Sequence, residues 1–189
     1  MKKTLNLLFV AVLALGMFAC GEKKLTYQDM KKAEATLFNE EGYLDTLRAP
    51  KVAEKYLKFV EQNPDDTTAS LWLYHAMELN VMMNNPEKSQ ELCDRLIKEY
   101  PDSEWAPVGL YLMGAVYDEQ YDDLDKARET YERVLRDYPD SDIIESVKAS
   151  IKYLGWTPDE IFADIAMSQI KDEIPPVFAD TLNMDTASK

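Results

Sequence analysis

The hexapeptides "KEYPDS" at residues 98–103 and "RDYPDS" at residues 136–141 decide the fold of this chain. Their prolines, Pro101 and Pro139, lie 38 positions apart. Proline lacks a backbone N–H and restricts the residue before it to extended conformations, so each proline ends a helix at the preceding tyrosine. The Asp-Ser pair that follows each proline offers side-chain oxygens that can cap another helix. Each hexapeptide therefore predicts the end of one helix and the start of the next.

The segments that precede the two hexapeptides share an apolar pattern. Residues 72–103 align with residues 110–141 without a gap. In both segments, packing positions recur at i, i+4 and i+7 on two successive helices, and a small residue in the middle of each helix lets its partner approach closely. These positions are Trp72, Ala76, Leu79, Ser89, Cys93 and Leu96 in the first segment and Leu110, Gly114, Tyr117, Ala127, Tyr131 and Val134 in the second. Each segment therefore predicts a hairpin of two antiparallel helices.

This order of large, small and aromatic residues before a proline resembles the tetratricopeptide (TPR) repeat. The resemblance implies an all-α fold, a short TPR-like α-solenoid of antiparallel helix hairpins. Scarce glycine, with six in the chain, and the lack of strand-like alternation also favour an all-α fold. The "YPDS" motif is similar to that of TPR lipoproteins of the bacterial envelope, such as those of outer-membrane β-barrel assembly and the Tol-Pal-associated coordinators.

Helical patterns continue on both sides of the two segments. Upstream, Pro64 ends a second-helix pattern, and the first helix of that hairpin is expected over about Tyr27–Glu40 with Thr26 as its cap. Downstream, an amphipathic helix is followed by "TPDE" at residues 157–160, which predicts a capped helix start and a C-terminal helical cap. The helical domain is expected over residues 26–171, with hairpins over about 26–64, 67–101 and 104–139 and the cap over 141–171. The polar residues 172–189 are expected to be a disordered tail.

Residues 1–19 have the pattern of a secretory signal peptide. Lys2 and Lys3 precede an almost unbroken apolar run of fourteen residues, Leu5 to Phe18. That run is too short to cross the hydrocarbon layer of about 30 Å comfortably, so a signal peptide is favoured over a membrane-spanning helix.

The stretch "MFAC", which ends at Cys20, resembles the lipobox of bacterial lipoproteins. The resemblance implies lipid attachment at Cys20, a tether over residues 20–25 and, because Gly21 follows, sorting to the outer membrane with the domain expected to face the periplasm. The alternative is an ordinary secreted protein cut at or near Ala19. If Cys20 is lipidated, Cys93 has no disulfide partner within the chain, so stability must come from apolar packing.

Composition limits the classes of partner. The chain has 35 acidic and 21 basic side chains and a net charge of -14 at pH 7. Affinity for nucleic acid and for anionic lipid surfaces depends on cationic contacts, so the balance opposes both. The acidity instead predicts envelope proteins or peptides with basic segments as partners.

No residue pattern predicts catalysis, a cofactor or a metal. The single histidine, His75, is expected to be packed or partly buried on a helix, and Cys93 to be a buried inert thiol. The acidic stretch 118–129 superficially suggests a calcium loop, but it lacks the glycine that the sharp turn requires and aligns with an inter-helix turn. Four methionines at helical spacing, at positions 77, 82, 83 and 113, are expected in the core or in adaptable contacts.

The TPR resemblance implies a concave groove lined by the first helix of each hairpin. Residues off the packing face of those helices form the predicted partner-binding groove: Leu73, Met77, Asn80, Tyr111, Ala115 and Asp118. The alternative is that several of them are buried between repeats or covered by the chain's own tail. The function expected is a non-catalytic envelope lipoprotein that acts as a protein-interaction scaffold. The alternatives are an accessory subunit of outer-membrane assembly or envelope maintenance, and a binding protein or enzyme for a small envelope ligand.

Overall fold

The computed structural model describes residues 23–173, and this part of the chain is all-α, as predicted. It contains eight helices: α1 Tyr27–Glu34, α2 Ala49–Gln62, α3 Ala69–Met82, α4 Pro86–Glu99, α5 Trp105–Glu119, α6 Leu124–Asp137, α7 Ile144–Lys152 and α8 Pro158–Glu173. None of these helices combines the length and the apolar character that a membrane span needs. The predicted signal peptide and the lipid-attachment residue Cys20 lie outside the described residues.

The chain divides into two compact units, which meet between Ala106 and Pro107. The described part of unit 1 holds α1 to α4 and the first two residues of α5. The described part of unit 2 holds the rest of α5 and α6 to α8.

Helix α1 begins at the predicted cap but ends six residues earlier than expected. Thr26 and Asp29 form a capping box, in which the Asp29 backbone N–H donates to Thr26 Oγ1 and the Thr26 N–H donates to Asp29 Oδ2. The prediction of a helix to Glu40 is wrong, because the backbone after Glu34 makes a local turn instead. Leu37 N–H donates to Glu34 O at 3.0 Å, and Asp45 N–H donates to Leu37 O at 2.7 Å.

The "YPDS" motifs act as predicted at the ends of α4 and α6. Tyr100 and Tyr138 are the C-terminal caps, with φ near -133° and -135°. In the first copy, the Trp105 N–H donates to Ser103 Oγ at 3.0 Å, so the serine that follows the proline supports the start of α5.

Unit 1 is built on the packing of α2 against α3 and of α3 against α4. The aromatic side chains Tyr56, Phe59 and Trp72 are almost completely buried there. The small residues Ala76 and Ser89, in the middle of α3 and α4, are also fully buried. The positions that the repeat alignment selected as packing positions in this unit are therefore core positions.

In unit 2, the small central residue of α5 has a clear steric role. A Cβ atom on Gly114 would lie 2.4 Å from Cε1 of Tyr131 on α6, closer than real Cβ contacts allow. Glycine at this position lets the tyrosine ring lie directly against the α5 backbone. Tyr131 is almost completely buried as a result.

The C-terminal helices of unit 2 follow the predicted signals. Gly155 ends the α7 region with φ +78°, and Thr157 caps α8 together with Glu160, whose carboxylate accepts from the Thr157 N–H at 2.7 Å. Helix α8 continues to Glu173, so residues 172 and 173 are helical, contrary to the expected start of the disordered tail. The rest of that tail lies outside the described residues.

Candidate functional site

The three predicted groove residues of unit 1 are buried. Leu73 and Met77 are fully buried, and Asn80 is 6% exposed. Asn80 Nδ2 donates to Ala76 O at 2.7 Å, and its Oδ1 accepts from Asn85 Nδ2 at 3.3 Å, so its amide closes the end of α3. Because these side chains lie within the fold, their positions favour the packing alternative over a groove surface.

The three predicted groove residues of unit 2 are partly buried on α5. The Tyr111 hydroxyl lies 3.0 Å from Ser150 Oγ of α7, and the Tyr111 ring centroid lies 5.5 Å from that of Tyr131. Ala115 is partly buried. Burial, and then the charge of Asp122, raise the pKa of Asp118. Tyr111 therefore contacts α6 and α7 of its own unit, which again favours the packing alternative at that residue.

Two other residues considered in the sequence analysis of possible reactive or metal-binding groups are buried or take part in helix capping. Cys93 is buried. In the stretch that resembles a calcium loop, Asp123 caps α6, with its Oδ1 accepting from the Lys126 N–H and its Oδ2 3.1 Å from Lys126 Nζ. Within residues 23–173, no three His, Cys, Asp or Glu side chains are grouped so that they could hold a metal ion.

The methionines divide between the core and the surface. Met77 and Met113 are almost completely buried, whereas Met82 is exposed and Met83 is partly buried.

A different face of α3 gathers charged and aromatic side chains in unit 1. His75, predicted to be packed or partly buried, lies here with its side chain 25% exposed. Its Nδ1 lies 3.1 Å from Glu78 Oε2, and its Nε2 lies 4.0 Å from Glu34 Oε1 of α1. Glu78 Oε1 accepts a longer bond from the Tyr74 hydroxyl, at 3.4 Å. We call this group, together with Trp105, the His75 cluster: Glu34, Tyr74, His75, Glu78 and Trp105.

Helical spacing and ring stacking place these residues together. Tyr74 and His75 lie four and three residues before Glu78 on α3, the spacings at which helical side chains meet. The Tyr74 and Trp105 ring centroids are 5.0 Å apart, and the His75 ring lies 6.2 Å from that of Trp105. These are the separations at which aromatic pairs attract each other. The imidazole is therefore held between two carboxylates against an aromatic surface.

Two buried polar groups lie under this cluster. Tyr56 Oη and Trp72 Nε1 have no hydrogen-bond partner among the described residues. The His75 ring centroid is 6.3 Å from that of Tyr56 and 5.6 Å from that of Trp72. Burial, and then the charges of Glu34 and Glu78, raise the pKa of Tyr56 above its usual range. The two carboxylates therefore act electrostatically on the core beneath them.

Burial and Glu78 also raise the pKa of Tyr74, the tyrosine of the cluster. Burial, followed by the charge and the hydrogen bond of Glu78, raises the pKa of Tyr74 to about 12. Its hydroxyl therefore stays protonated at neutral pH. Glu34 and Glu78 keep side-chain exposures of 31% and 40%, so both can still be reached from solvent. Glu34 also pairs with Lys31.

The cluster is suited to binding a cationic group. Carboxylates form strong charge-assisted bonds with ammonium and guanidinium groups, and aromatic faces attract the same cations. Partly exposed carboxylates beside Tyr74 and Trp105 combine the two interactions in one place. The chemistry that this arrangement supports is recognition of a lysine or arginine side chain.

Alignment by packing positions does not reveal this cluster, because the second repeat does not share it. At the equivalent positions, 38 residues later, the chain has Leu112, Met113, Val116 and Ile143 in place of Tyr74, His75, Glu78 and Trp105. A search within the aligned segments for polar and aromatic residues in one copy that are apolar in the other would have found Tyr74, His75 and Glu78, whereas Trp105 lies just outside these segments. Glu34 lies outside the aligned segments, so only the packing of α1 in unit 1 could reveal it.

Comparison with known proteins supports the repeat interpretation. Residues 73–103 and 109–141 match the family model of the tetratricopeptide repeat. These two segments contain most of α3 and α4 and of α5 and α6, so the prediction of two TPR hairpins is confirmed. Comparisons with curated proteins and with solved structures found no match. TPR repeats are typical of non-catalytic scaffolds that mediate protein–protein interaction.

Proposed function

We propose that this chain is an envelope lipoprotein that holds partner proteins through its TPR-containing domain, and that the His75 cluster binds a basic side chain of the partner. The observation that carries the proposal is the pair of partly exposed carboxylates, Glu34 and Glu78, against the Tyr74 and Trp105 rings. The members of the cluster on α3, Tyr74, His75 and Glu78, are replaced in the second repeat by Leu112, Met113 and Val116. A purely structural feature of the hairpin would be expected in both.

The hollows found within each unit agree with a scaffold. Three hollows, with volumes of about 320 to 570 Å³, are open to solvent. A small-ligand site is usually a deep, mostly apolar pocket with a few converging polar groups. Open hollows, together with the partly exposed carboxylates beside the aromatic rings of the His75 cluster, instead favour a polypeptide partner.

The envelope location is supported by the sequence of the leader. Lipidation and removal of residues 1–19 would make Cys20 the lipidated first residue of the mature chain. Acyl chains contribute about 0.8 kcal/mol per buried CH₂, so two or three chains anchor a protein stably. Replacing Cys20 by serine should move the protein from the membrane fraction to the soluble fraction and remove the mobility shift that lipidation causes. Unchanged membrane retention and mobility would contradict the lipoprotein proposal.

The binding proposal is tested by neutralising the two carboxylates. In chains that carry Glu34→Gln with Glu78→Gln, recovery of co-purified partner should fall at least about tenfold, because a hydrogen bond to a charged group contributes about 1.5–3 kcal/mol. A matched control is Glu54→Gln with Glu87→Gln, which removes two exposed carboxylates from α2 and α4 of the same unit. Circular dichroism checks that both variants remain helical.

The control separates a local effect from a general loss of acidity. If both pairs reduced partner recovery equally, net charge and not the His75 cluster would control binding. If neither pair reduced it, the partner would bind elsewhere on the domain. Both results would contradict the assignment of the site.

A further inference from the structure

A second surface of unit 1, between α1 and α2, concentrates positive charge. It is a hollow of about 320 Å³ whose floor includes Ala33 and Val52. Four cationic side chains line it, and we call the hollow the basic pocket: Lys32, Arg48, Lys51 and Lys55.

Of these four cations, only Arg48 forms an ion pair within the described residues. Arg48 pairs with Asp45, with Nε and Oδ2 3.2 Å apart. Among the described residues, no carboxylate lies within 4 Å of the amino groups of Lys32, Lys51 or Lys55. Hydrogen bonds with Thr26, and then the charges of lysines that include Lys55, lower the pKa of Asp29. On α2, the cations are three and four residues apart, where like charges repel each other. An anion in the basic pocket would relieve this repulsion.

The direction of α2 adds to the positive potential. Arg48 occupies the N-cap position without a capping side-chain bond, and the first turn of α2 carries no acidic residue. The N-terminal end of a helix is the positive end of its dipole, so Arg48 and Lys51 lie where an acidic side chain would be favourable. The Asp45 carboxylate already accepts from the Leu47 and Arg48 N–H groups at this end, each at 3.1 Å. The four cationic side chains, and not the helix end, therefore carry the attraction of the basic pocket for an anion.

The acidity of the whole chain does not extend to this part of it. Residues 23–62 carry eight basic and seven acidic side chains, whereas residues 63–189 carry 11 basic and 27 acidic ones. Charges separated by more than about 8–10 Å are largely screened at physiological salt. The net charge, which opposes anionic surfaces for the chain as a whole, therefore does not exclude an anion at the basic pocket.

Chain length relates the basic pocket to the proposed anchor. Leu25 is fixed to the end of α2, because its N–H donates to Gln62 Oε1 at 2.8 Å and its carbonyl accepts from Asn63 Nδ2. The five residues from Cys20 to Leu25 can span at most about 18 Å. Lipidation at Cys20 would thus hold the C-terminal end of α2 close to the membrane surface. Arg48 and Lys51, at the N-terminal end, lie within the length of this helix, about 21 Å, from that point.

We infer that the basic pocket binds the phosphate groups of anionic phospholipids on the membrane to which the chain is anchored. The inference rests on the proposed lipid anchor for its location, and on the four cations for its chemistry. Lysine and arginine side chains near a membrane surface attract anionic headgroups, and the apolar floor accommodates the carbon atoms next to the phosphate. The headgroup contact would orient unit 1 on the membrane, whereas the acyl chains alone would only tether it.

The test uses the proposed mature chain, residues 20–189, with Cys20→Ser, which cannot be acylated at that position. Its sedimentation is measured with vesicles of phosphatidylcholine alone and of phosphatidylcholine mixed with phosphatidylglycerol. The protein should bind the anionic vesicles more strongly, and Lys51→Gln with Lys55→Gln should weaken that binding about 25-fold, since each such lysine contributes about fivefold. The matched control is Lys126→Gln with Lys148→Gln, two exposed lysines of unit 2, which should leave it unchanged.

Three results would overturn the inference. These are equal binding to both kinds of vesicle, equal loss in the two double variants, and complete displacement by millimolar glycerol phosphate, which would assign the pocket to a soluble phosphate ester. None of the proteins in this assay is acylated at Cys20. A failure of the basic pocket in this assay would therefore not contradict the lipid anchor. Fractionation of cells that carry the Cys20→Ser protein tests the anchor separately.

Discussion

The close contact between Gly114 and Tyr131 gives a test of how the hairpins pack. Replacing a glycine inside a helix by alanine normally stabilises the helix by about 1 kcal/mol. In this chain the new Cβ would lie 2.4 Å and 2.5 Å from two carbons of the Tyr131 ring. Overpacking of a well-filled core costs about 1–3 kcal/mol. Gly114→Ala should therefore destabilise unit 2 by up to about 2 kcal/mol, opposite in sign to the propensity effect.

The first repeat supplies the compensating change. Its equivalent pair is Ala76 with Cys93, a larger residue on the first helix and a smaller one on the second. In a Tyr131→Cys background, where the ring is absent, Gly114→Ala should recover its normal stabilisation of about 1 kcal/mol. The coupling free energy between the two positions should therefore equal the overpacking cost, about 1–3 kcal/mol.

Hydrogen exchange measures this coupling within unit 2. Mass spectrometry of peptides from α5 and α6 reports the local opening free energy, and a change of about 1.4 kcal/mol alters the exchange rate about tenfold. Two outcomes would refute the packing account. One is slower exchange in Gly114→Ala with Tyr131 present, and the other is additivity of the two substitutions within about 0.5 kcal/mol.

Two further predictions concern the terminal helices of unit 2. Gly155→Ala should destabilise unit 2 by more than Gly42→Ala destabilises unit 1. Both glycines have positive φ, but only at Gly155 would a Cβ meet a neighbour, Leu124 Cδ1 at 2.8 Å. Thermal melts of the two variants measure the difference. The hydrogen bonds from the backbone N–H and the hydroxyl of Thr157 lower the pKa of Glu160. The pKa of Glu160 is thus lower in the folded than in the unfolded state. The cap therefore stabilises α8 above pH 4.5, the ordinary pKa of this carboxyl group, and this stabilisation is lost as the pH falls through the lowered pKa. Circular dichroism should show a loss of α8 helicity on acidification that is smaller in Thr157→Ala, and an equal loss in both proteins would contradict this role of the cap.

Local signals in the sequence were sufficient to predict the hairpins. Pro101 and Pro139 remove a donor and restrict the residue before them, and these constraints operate whatever the rest of the chain does. The end of α1 could not be predicted in the same way. It depends on the turn in which Asp45 bonds to Leu37, eight residues away, and nothing in the pattern after Glu34 specifies that pairing.

The candidate site was less accessible to sequence reasoning than the fold. Periodicity separates a packed face from the remaining positions of a helix, but it does not show which of those remaining positions stay exposed. Leu73 and Met77 lie off the predicted packing face and are nevertheless fully buried. The His75 cluster includes Glu34 from another helix, and its distance from His75 follows from tertiary packing alone.

The central claim is that a basic segment of a partner protein binds at the His75 cluster, and site-specific crosslinking tests it most directly. A photoreactive phenylalanine derivative replaces Tyr74 in the lipidated protein, the intact envelope is irradiated, and mass spectrometry identifies the crosslinked peptide. A second chain carries the same derivative at position 54, on an exposed part of α2 in the same unit. We predict an adduct at position 74 with a lysine- or arginine-containing segment of another protein, absent at position 54 and reduced about tenfold or more by Glu34→Gln with Glu78→Gln. Adducts only with further copies of this chain, equal yields at the two positions, or a yield that the glutamine substitutions leave unchanged would contradict the claim.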